Sequence, residues 1–318
     1  MPPGDLRANQ EQRMKTYAGR HPKPGLPRRL QLLFLVGVLA VLACGAWIAL
    51  AYYSQAQQAD LDIVFEFEQK SEYSKIRVTR EKNIRTLWFV RESGEAIIES
   101  RIDLEKPHEL MIPYTRYMFT SYLFRPLQEK VLIVGLGGGS MIHFLKHYDP
   151  TVKIDVVEID PAVVKIAEKY FGIRSEGNVN IITRDALEYL KTTDARYDVI
   201  YMDAFLKPSA DTDKSGVPLR LKTIQFYKDI QKKLTTDGLV AFNVHPHEKH
   251  QEDLKNIRDA FPQTYLFRLP ARNGFVAVGS MTQLRSGIGV LRLEAEELNR
   301  RFQASYSYRE MVERLAPE

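Results

Sequence analysis

The segment VLIVGLGGGS (residues 131–140) restricts the possible folds of this chain more than any other feature of its sequence. Its apolar residues predict a buried strand. The glycines predict a turn whose backbone a ligand can approach closely, and a helix is expected to begin near Ser140. Glu158 ends the next apolar run, 19 residues beyond Gly139. At that spacing an acidic side chain meets the two hydroxyls of a bound ribose, so the segment predicts a nucleotide-binding unit.

Apolar strands and helical segments alternate from about residue 113 onward. Strands are expected near residues 131–135, 153–158, 179–182, 197–203 and 238–244, with helices between them. This alternation is typical of an α/β fold with a doubly wound, mostly parallel sheet covered by helices on both faces. Four earlier β-type runs, between residues 63 and 98, predict a small antiparallel β-domain.

The distribution of charge excludes one large class of partner. The 318 residues include 45 Lys and Arg against 40 Asp and Glu, and the first 29 residues alone hold seven cations and two acids. The rest of the chain is therefore nearly balanced, and we expect no nucleic-acid partner because no basic groove is indicated. A single Cys excludes an internal disulfide.

Residues 30–53 predict one transmembrane helix, and hence a single-pass membrane protein bound to the lipid bilayer. The stretch from Leu32 to Tyr53 carries no charge and is long enough to cross a hydrocarbon core. A signal peptide would have a shorter apolar region, and a core helix would show a polar stripe. The positive-inside rule places the residues after the helix outside the cytoplasm. A nucleotide made in the cytoplasm argues instead for a cytoplasmic catalytic domain, which we favour.

These features divide the chain into five predicted parts. They are a basic tail (1–29), a transmembrane helix (30–53), a small β-domain (61–112), a nucleotide-binding catalytic domain (113–285) and a C-terminal helical extension (286–318).

Other polar residues have simpler interpretations. Asp160 precedes Pro161 and fits the N-cap of a helix. Asp185 can cap the next helix, accept from an adenine amino group, or do both. His245, His247 and His250 are interpreted as loop residues, and no metal site is predicted.

Six segments together resemble the spermidine/spermine synthase family. They are GLGGGS, DVVEIDP (155–161), TRDALEYL (183–190), YDVIYMDAF (197–205), FY (226–227) and DGLVAFNV (237–244). The resemblance spans roughly residues 65–280 and implies the Rossmann-like fold of the class I methyltransferase-like superfamily. It also implies a transferase that moves an alkyl group from S-adenosylmethionine or its decarboxylated form. In the family this is aminopropyl transfer in polyamine biosynthesis, and members commonly form homodimers.

The same resemblance implies roles for individual residues. Asp203 matches the family's catalytic Asp, where a carboxylate at a strand end can deprotonate an attacking amine. Glu158 would bind the ribose, and Asp185 with Ala186 would bind the adenine. The tail of the nucleotide would lie on a turn that includes the three residues Gly135, Gly137 and Gly139.

Three departures from the family pattern leave the substrate open. Ser140 and Leu206 stand where the family has acids, and Arg116 stands near the family's Tyr-x-Glu acid, two residues after Tyr114. Each change removes negative charge from a site for cations. Within the long polar segment from residue 206 to residue 220, Asp211 or Asp213 could supply a replacement, and Tyr114 would help to bind the substrate.

Two alternatives therefore accompany aminopropyl transfer to a polyamine. One is S-adenosylmethionine-dependent methyl transfer to another nucleophile, since a missing acid beside the glycines makes room for the carboxylate of the intact nucleotide. The other is a non-catalytic, membrane-tethered nucleotide sensor.

Overall fold

The first described element is one long, apolar helix. The computed structural model describes residues 27–61, 63–270 and 274–317, so most of the predicted basic tail lies outside the described residues. The chain divides into two units, residues 1–61 and 62–318, and we describe each by itself. In the first, α1 (Arg28–Leu61) contains a stretch, Arg28–Tyr53, that can span a membrane by length and composition alone. Apolar side chains along it, such as Leu39 and Trp47, are exposed.

The second unit begins with a four-stranded antiparallel meander. Its strands are β1 (Ile63–Lys70), β2 (Lys75–Glu81), β3 (Ile84–Val90) and β4 (Ala96–Asp103), and they pair in chain order. This agrees with the predicted small antiparallel sheet. The pairing of β3 with β4 shifts by one residue: Leu87 faces Ser100, but Trp88 faces Ile98. Glu99 is therefore the extra residue of a β-bulge, a feature that bends a strand and turns a side chain away from the regular alternation.

A seven-stranded sheet forms the larger part of the unit. The elements that follow β4 are α2 (Pro113–Met118), β5 (Lys130–Val134), α3 (Ser140–Tyr148), β6 (Lys153–Glu158), α4 (Pro161–Phe171), β7 (Val179–Thr183), α5 (Ala186–Thr192), β8 (Tyr197–Met202), α6 (Ile224–Gln231), β9 (Leu234–Val244), α7 (His250–Ala260), β10 (Gln263–Arg268), β11 (Phe275–Ser280), α8 (Ile288–Phe302) and α9 (Tyr308–Val312). Short 3₁₀ turns follow α2 and precede α6.

The order of strands in this sheet fixes where a ligand can bind. The order is β10-β11-β9-β8-β5-β6-β7, with β5 to β9 parallel and β11 antiparallel to both of its neighbours. The chain winds from β5 towards one edge and then returns to β8 on the other side. The carboxyl ends of β5 and β8 thus flank the topological switch point, where doubly wound sheets bind their ligands.

Both faces of the large sheet are covered by apolar layers. Successive residues of β5 alternate between them: Val131 and Ile133 belong to one buried cluster, and Leu132 and Val134 belong to the other. Burial on both faces explains why the parallel strands have nearly continuous apolar sequences.

The C-terminal extension, predicted as helical over residues 286–318, consists of two helices. Helix α8 starts at Ile288 and ends where Gln303 adopts a left-handed conformation. Ser307 then caps the short helix α9. Phe302 and Tyr308 are buried in the first apolar cluster, so the extension completes the core.

Candidate active site

A cleft of about 870 Å³, including solvent at its mouth, opens at the switch point. It is lined by the glycine turn after β5, the end of β6, the start of α5, the segment after β8, and β4 of the small sheet. The predicted site residues Tyr114, Gly135, Gly137, Gly139, Glu158, Asp185, Ala186 and Asp203 all line it. The structure thus brings together side chains that lie up to 89 positions apart in the sequence.

The glycine turn lies too close to its neighbours to carry side chains. Gly135 has φ of 99°, and a Cβ there would collide with the backbone carbonyl of Asp203. The amide N–H of Asp203 in turn donates to the carbonyl of Val134 at 3.0 Å. Gly139 has φ of 69° and immediately precedes α3. The first turn of α3 therefore begins in the cleft, as the sequence predicts.

Glu158 is held rigidly at the end of β6. Its two carboxylate oxygens accept from the backbone N–H groups of Leu136 and Asp160, at 2.8 and 2.9 Å. Burial raises the pKa of this carboxyl group to about 7, against the lowering effect of those hydrogen bonds. Each oxygen keeps capacity for a further donor, so the group can still accept from two ribose hydroxyls.

Asp160 and Asp185 each cap a helix. Asp160 accepts from the N–H of Ala162 at 2.8 Å, which confirms the predicted N-cap of α4. Asp185 caps α5 by accepting from the N–H of Glu188 at 3.1 Å. Its second oxygen contacts the guanidinium of Arg220, which comes from the long segment after β8. Asp185 still lines the cleft, so capping leaves its predicted contact with adenine open.

Asp203 follows β8 directly and is positioned from both sides. Tyr114 donates its hydroxyl to one carboxylate oxygen at 3.0 Å, and Asn243 donates its amide to the other at 2.9 Å. Burial raises the pKa of Asp203 to about 6, although these two hydrogen bonds favour its ionised form. A carboxylate with that pKa is ionised near neutral pH and can still accept a proton, which suits a general base.

The three departures from the family pattern have unequal consequences in the structure. Ser140 and Leu206 line the cleft as neutral residues. Arg116 instead donates to the carbonyl of Leu110 at 2.6 Å, and its guanidinium lies 5.8 Å from the ring centre of Tyr306. It is not among the described residues that line the cleft. The cation that the sequence analysis places near the site is therefore directed elsewhere.

The structure also separates the two aspartates proposed as replacement acids. Asp211 is exposed and is not among the described residues that line the cleft. Asp213 lines a neighbouring cavity of about 490 Å³ together with Lys222 and Asp253. Lys222 donates to Asp213 at 2.5 Å and contacts Asp253, while His247 lies 2.6 Å from the same Asp253 oxygen.

We call these four residues, Asp213, Lys222, His247 and Asp253, the Lys222 cluster. The potential ligand atoms of its two aspartates and its histidine lie within 4.8 Å of one another. The ammonium group of Lys222 already provides a cation for both carboxylates. The hydrogen bonds from Lys222 and Ser215 lower the pKa of Asp213 although burial raises it.

One acidic residue of the cleft, Glu99, is not identified by the sequence analysis. Glu99 of β4 lines the cleft, and no hydrogen bond or ion pair joins its side chain to any residue that the structure describes. Burial, together with the nearby carboxylates of Asp203 and Glu158, raises its pKa to about 8 against the lowering effect of Arg91. In the sequence it is a polar position at the end of a short apolar run, and only the β-bulge brings it into the cleft.

Comparison with known proteins identifies the family. Residues 113–271 match the spermine/spermidine synthase domain. The polyamine aminopropyltransferase of Vibrio vulnificus is 31% identical over 235 residues, which cover 73% of this chain and 76% of that protein.

Two solved structures share the fold at lower sequence identity. A spermidine synthase in complex with the transition-state analogue AdoDATO has a TM-score of 0.61 at 18% identity, covering 80% of this chain and 85% of its own. Human methyltransferase-like protein 13 in complex with SAH has a TM-score of 0.56 at 22% identity, covering 62% and 95%. These two likenesses establish the fold alone. The domain match and the Vibrio relative establish that the chain belongs to the spermine/spermidine synthase family and is, accordingly, a transferase.

Proposed function

We propose that the enzyme transfers an aminopropyl group from decarboxylated S-adenosylmethionine to a primary amine of a polyamine, with Asp203 as the base. One observation carries the proposal: Asp203 is fixed by Tyr114 and Asn243 at the end of β8, in the same cleft as Glu158. The Vibrio relative, named a polyamine aminopropyltransferase, supports the same reaction.

The donor would bind by its adenosine moiety at the β6 and β7 side of the cleft. Glu158 accepts from the ribose hydroxyls, and Ala186 with Asp185 borders the adenine. The tail on sulfur runs along the glycine turn towards Asp203. Decarboxylated S-adenosylmethionine carries two positive charges, on its sulfonium and its ammonium, and the cleft offers carboxylates near both ends of this path.

The chemical step is an in-line displacement at carbon. The lone pair of the acceptor amine attacks the aminopropyl carbon bonded to sulfur, and the carbon–sulfur bond breaks with its electron pair passing to sulfur. The products are 5′-methylthioadenosine and an ammonium whose extra proton passes to the Asp203 carboxylate and then to water. Tyr114 and Asn243 hold this carboxylate in place, and the cleft limits access of water, so catalysis depends on orientation and proton acceptance.

The charge of the cleft favours this reaction over methyl transfer. Glu99 and Asp203 border the region next to the glycine turn. The two cleft arginines lie at the adenine end, since Arg184 precedes Asp185 and Arg220 contacts it. The carboxylate of intact S-adenosylmethionine would thus face acids and lack a cation, which costs binding free energy.

Product analysis tests the proposal. The purified enzyme is incubated with a polyamine and either donor, and the nucleoside product is identified by mass spectrometry. We expect 5′-methylthioadenosine and an acceptor heavier by one aminopropyl group with the decarboxylated donor. S-adenosylhomocysteine formed from the intact donor, without aminopropyl transfer, would establish methyl transfer instead. Binding of both donors without turnover would favour the nucleotide sensor.

The location of the enzyme is part of the same proposal. Helix α1 anchors the chain in the bilayer, with the catalytic domain in the cytoplasm where the donor is made. The uncharged stretch within Arg28–Tyr53 supports an anchor, and the charge bias argues for the opposite side. Protease treatment of sealed right-side-out vesicles tests the topology: a cytoplasmic domain is protected and an external one is digested. Size-exclusion chromatography with light scattering tests the expected homodimer.

A further inference from the structure

We infer that Glu99 binds the ammonium group of the donor's aminopropyl tail and thereby selects decarboxylated over intact S-adenosylmethionine. The inference rests on the proposed function and deepens it. The family has an acid directly after the glycines, where this chain has Ser140. Glu99 of the small N-terminal sheet would supply that negative charge instead.

The first argument is the placement of β4 against the glycine turn. The hydroxyl of Ser100 accepts from the N–H of Gly138 at 2.8 Å, so this strand lies directly on the turn that would carry the donor's tail. Consecutive residues of a regular strand face opposite sides. Glu99 and Ser100 nevertheless both line the cleft, because Glu99 is the extra residue of the β-bulge.

The second argument is that Glu99 differs from the glutamates of β1, the other edge strand of the same sheet. Glu66 is paired with Arg85 at 2.6 Å, and Glu68 is paired with Lys75 and with Arg77, both at 2.8 Å. Glu99 has no such partner among the described residues. Arg91 acts on Glu99 only electrostatically and is itself paired with Glu95, so the carboxylate of Glu99 lacks a bonded cation. Holding such a carboxylate away from water is unfavourable, and this cost is recovered when a ligand supplies the cation.

The third argument is that Glu99 lines the same cleft as the two carboxylates with proposed roles, Asp203 and Glu158. Both act electrostatically on Glu99, so it lies near the proposed base and the proposed ribose ligand. In the proposed binding mode the donor's tail runs from the ribose towards Asp203 and therefore passes through this region. A negative charge there attracts the tail's ammonium and repels the additional carboxylate of intact S-adenosylmethionine.

The experiment compares the wild type with Glu99→Gln, which keeps the shape and removes the charge. We expect the KM for decarboxylated S-adenosylmethionine to rise about 10- to 100-fold, since a hydrogen-bonded ion pair is lost. We expect the kcat at saturating donor and the KM of the polyamine to change less than about three-fold, because Asp203 is untouched. Glu92→Gln, an exposed residue of the preceding turn, is the matched control and should retain the wild-type KM.

Three further measurements separate binding from structure. The affinity for 5′-methylthioadenosine, which lacks the ammonium, should be unchanged in Glu99→Gln. The double variant Glu99→Gln/Ser140→Asp should recover much of the donor affinity, because it returns a carboxylate beside the glycines. Asp203, Glu158 and Arg91 also act electrostatically on Glu99, and Asp203 and Glu158 titrate below it. In the wild type the donor KM should therefore go on falling as pH rises from 7 towards 8, and this last part of the fall should be missing in Glu99→Gln.

The outcomes distinguish the role of Glu99 from the proposed reaction, aminopropyl transfer. A donor KM within two-fold of wild type, an equal loss of 5′-methylthioadenosine affinity, or a change confined to the polyamine would overturn the role of Glu99 and leave aminopropyl transfer standing. A wild-type enzyme that transfers no aminopropyl group would overturn the proposed function, and the role of Glu99 with it.

Discussion

The active-site cleft and the neighbouring Lys222 cluster both contain inward-facing carboxylates. A cation bonds each carboxylate of the cluster, whereas in the cleft Arg220 bonds only Asp185 among the described residues and leaves Glu99, Glu158 and Asp203 without an ion pair. Lys222 bonds both of the cluster's aspartates, and its side chain is only 12% exposed. In the cleft, burial raises the pKa of Glu99, Glu158 and Asp203 to about 8, 7 and 6. The contrast indicates that the cluster stabilises the fold, whereas the cleft is prepared for a positively charged ligand.

Removing the base should have the largest effect. Asp203→Asn keeps the size of the side chain but cannot accept the proton, so we expect kcat to fall about 10²- to 10⁴-fold. Steady-state kinetics with decarboxylated S-adenosylmethionine measures this. The affinity for 5′-methylthioadenosine serves as the control and should stay within a few-fold of wild type. Retention of more than a tenth of the wild-type kcat would contradict the assigned role.

Removing the cation of the cluster should chiefly affect stability. Lys222→Met leaves Asp213 and Asp253 without their shared partner, and we expect the free energy of unfolding to fall by about 3–5 kcal/mol. Urea denaturation of the purified enzyme measures the change. Lys228→Met, an exposed position on α6, is the control and should alter stability by less than about 0.5 kcal/mol. A small effect for Lys222→Met would show that the cluster is not a structural ion pair.

Replacing the ribose ligand should weaken binding of every adenosyl compound. In Glu158→Gln one backbone N–H loses its acceptor and the ribose loses a charged partner. We expect the dissociation constants of donor and 5′-methylthioadenosine to rise together, by about 10- to 100-fold. Calorimetry measures both constants, and Glu168→Gln on the exposed side of α4 is the control. Weaker binding of the donor alone would assign Glu158 to the tail instead of the ribose.

The smallest predicted effect is a change of stability with pH. The ordinary pKa of Glu99 is 4.5, and it is about 8 in the folded enzyme. The folded state therefore holds a proton that the unfolded state releases, and the resulting stability is lost as pH rises from about 4.5 to about 8. Without nucleotide, Glu99→Gln should match the wild-type Tm near pH 4.5 and exceed it by a few degrees near pH 8.

Asp213 should show the opposite dependence of stability on pH, so it provides the second half of this test. Its pKa is lowered, so its contribution is present above its ordinary pKa of 3.8 and lost as pH falls. Asp213→Asn should be destabilising at neutral pH and nearly neutral in acid. Calorimetric scans of Glu99→Gln across about pH 4–8 and of Asp213→Asn from neutral pH down to about pH 2 measure the two trends, and parallel trends would remove the distinction between the regions.

The sequence predicts those parts of the molecule that depend on local patterns. The strands, the helix after the glycine turn and the N-cap at Asp160 follow from periodicity and capping, which operate over a few residues. The direction of Arg116 and the pairing of Asp213 with Lys222 depend on contacts between distant segments. Glu99 requires the register of β3 against β4, and a shift of one residue there is not visible in a pattern of apolar positions.

The β-bulge at Glu99 also bears on where the functional unit of this enzyme begins. The matched synthase domain starts at residue 113, yet one wall of its substrate cleft belongs to a strand that ends at Asp103. A fragment cut at the domain boundary would keep the base and the ribose ligand and lose donor discrimination. Changes in selectivity can therefore be engineered in the meander without altering the chemistry of the synthase domain.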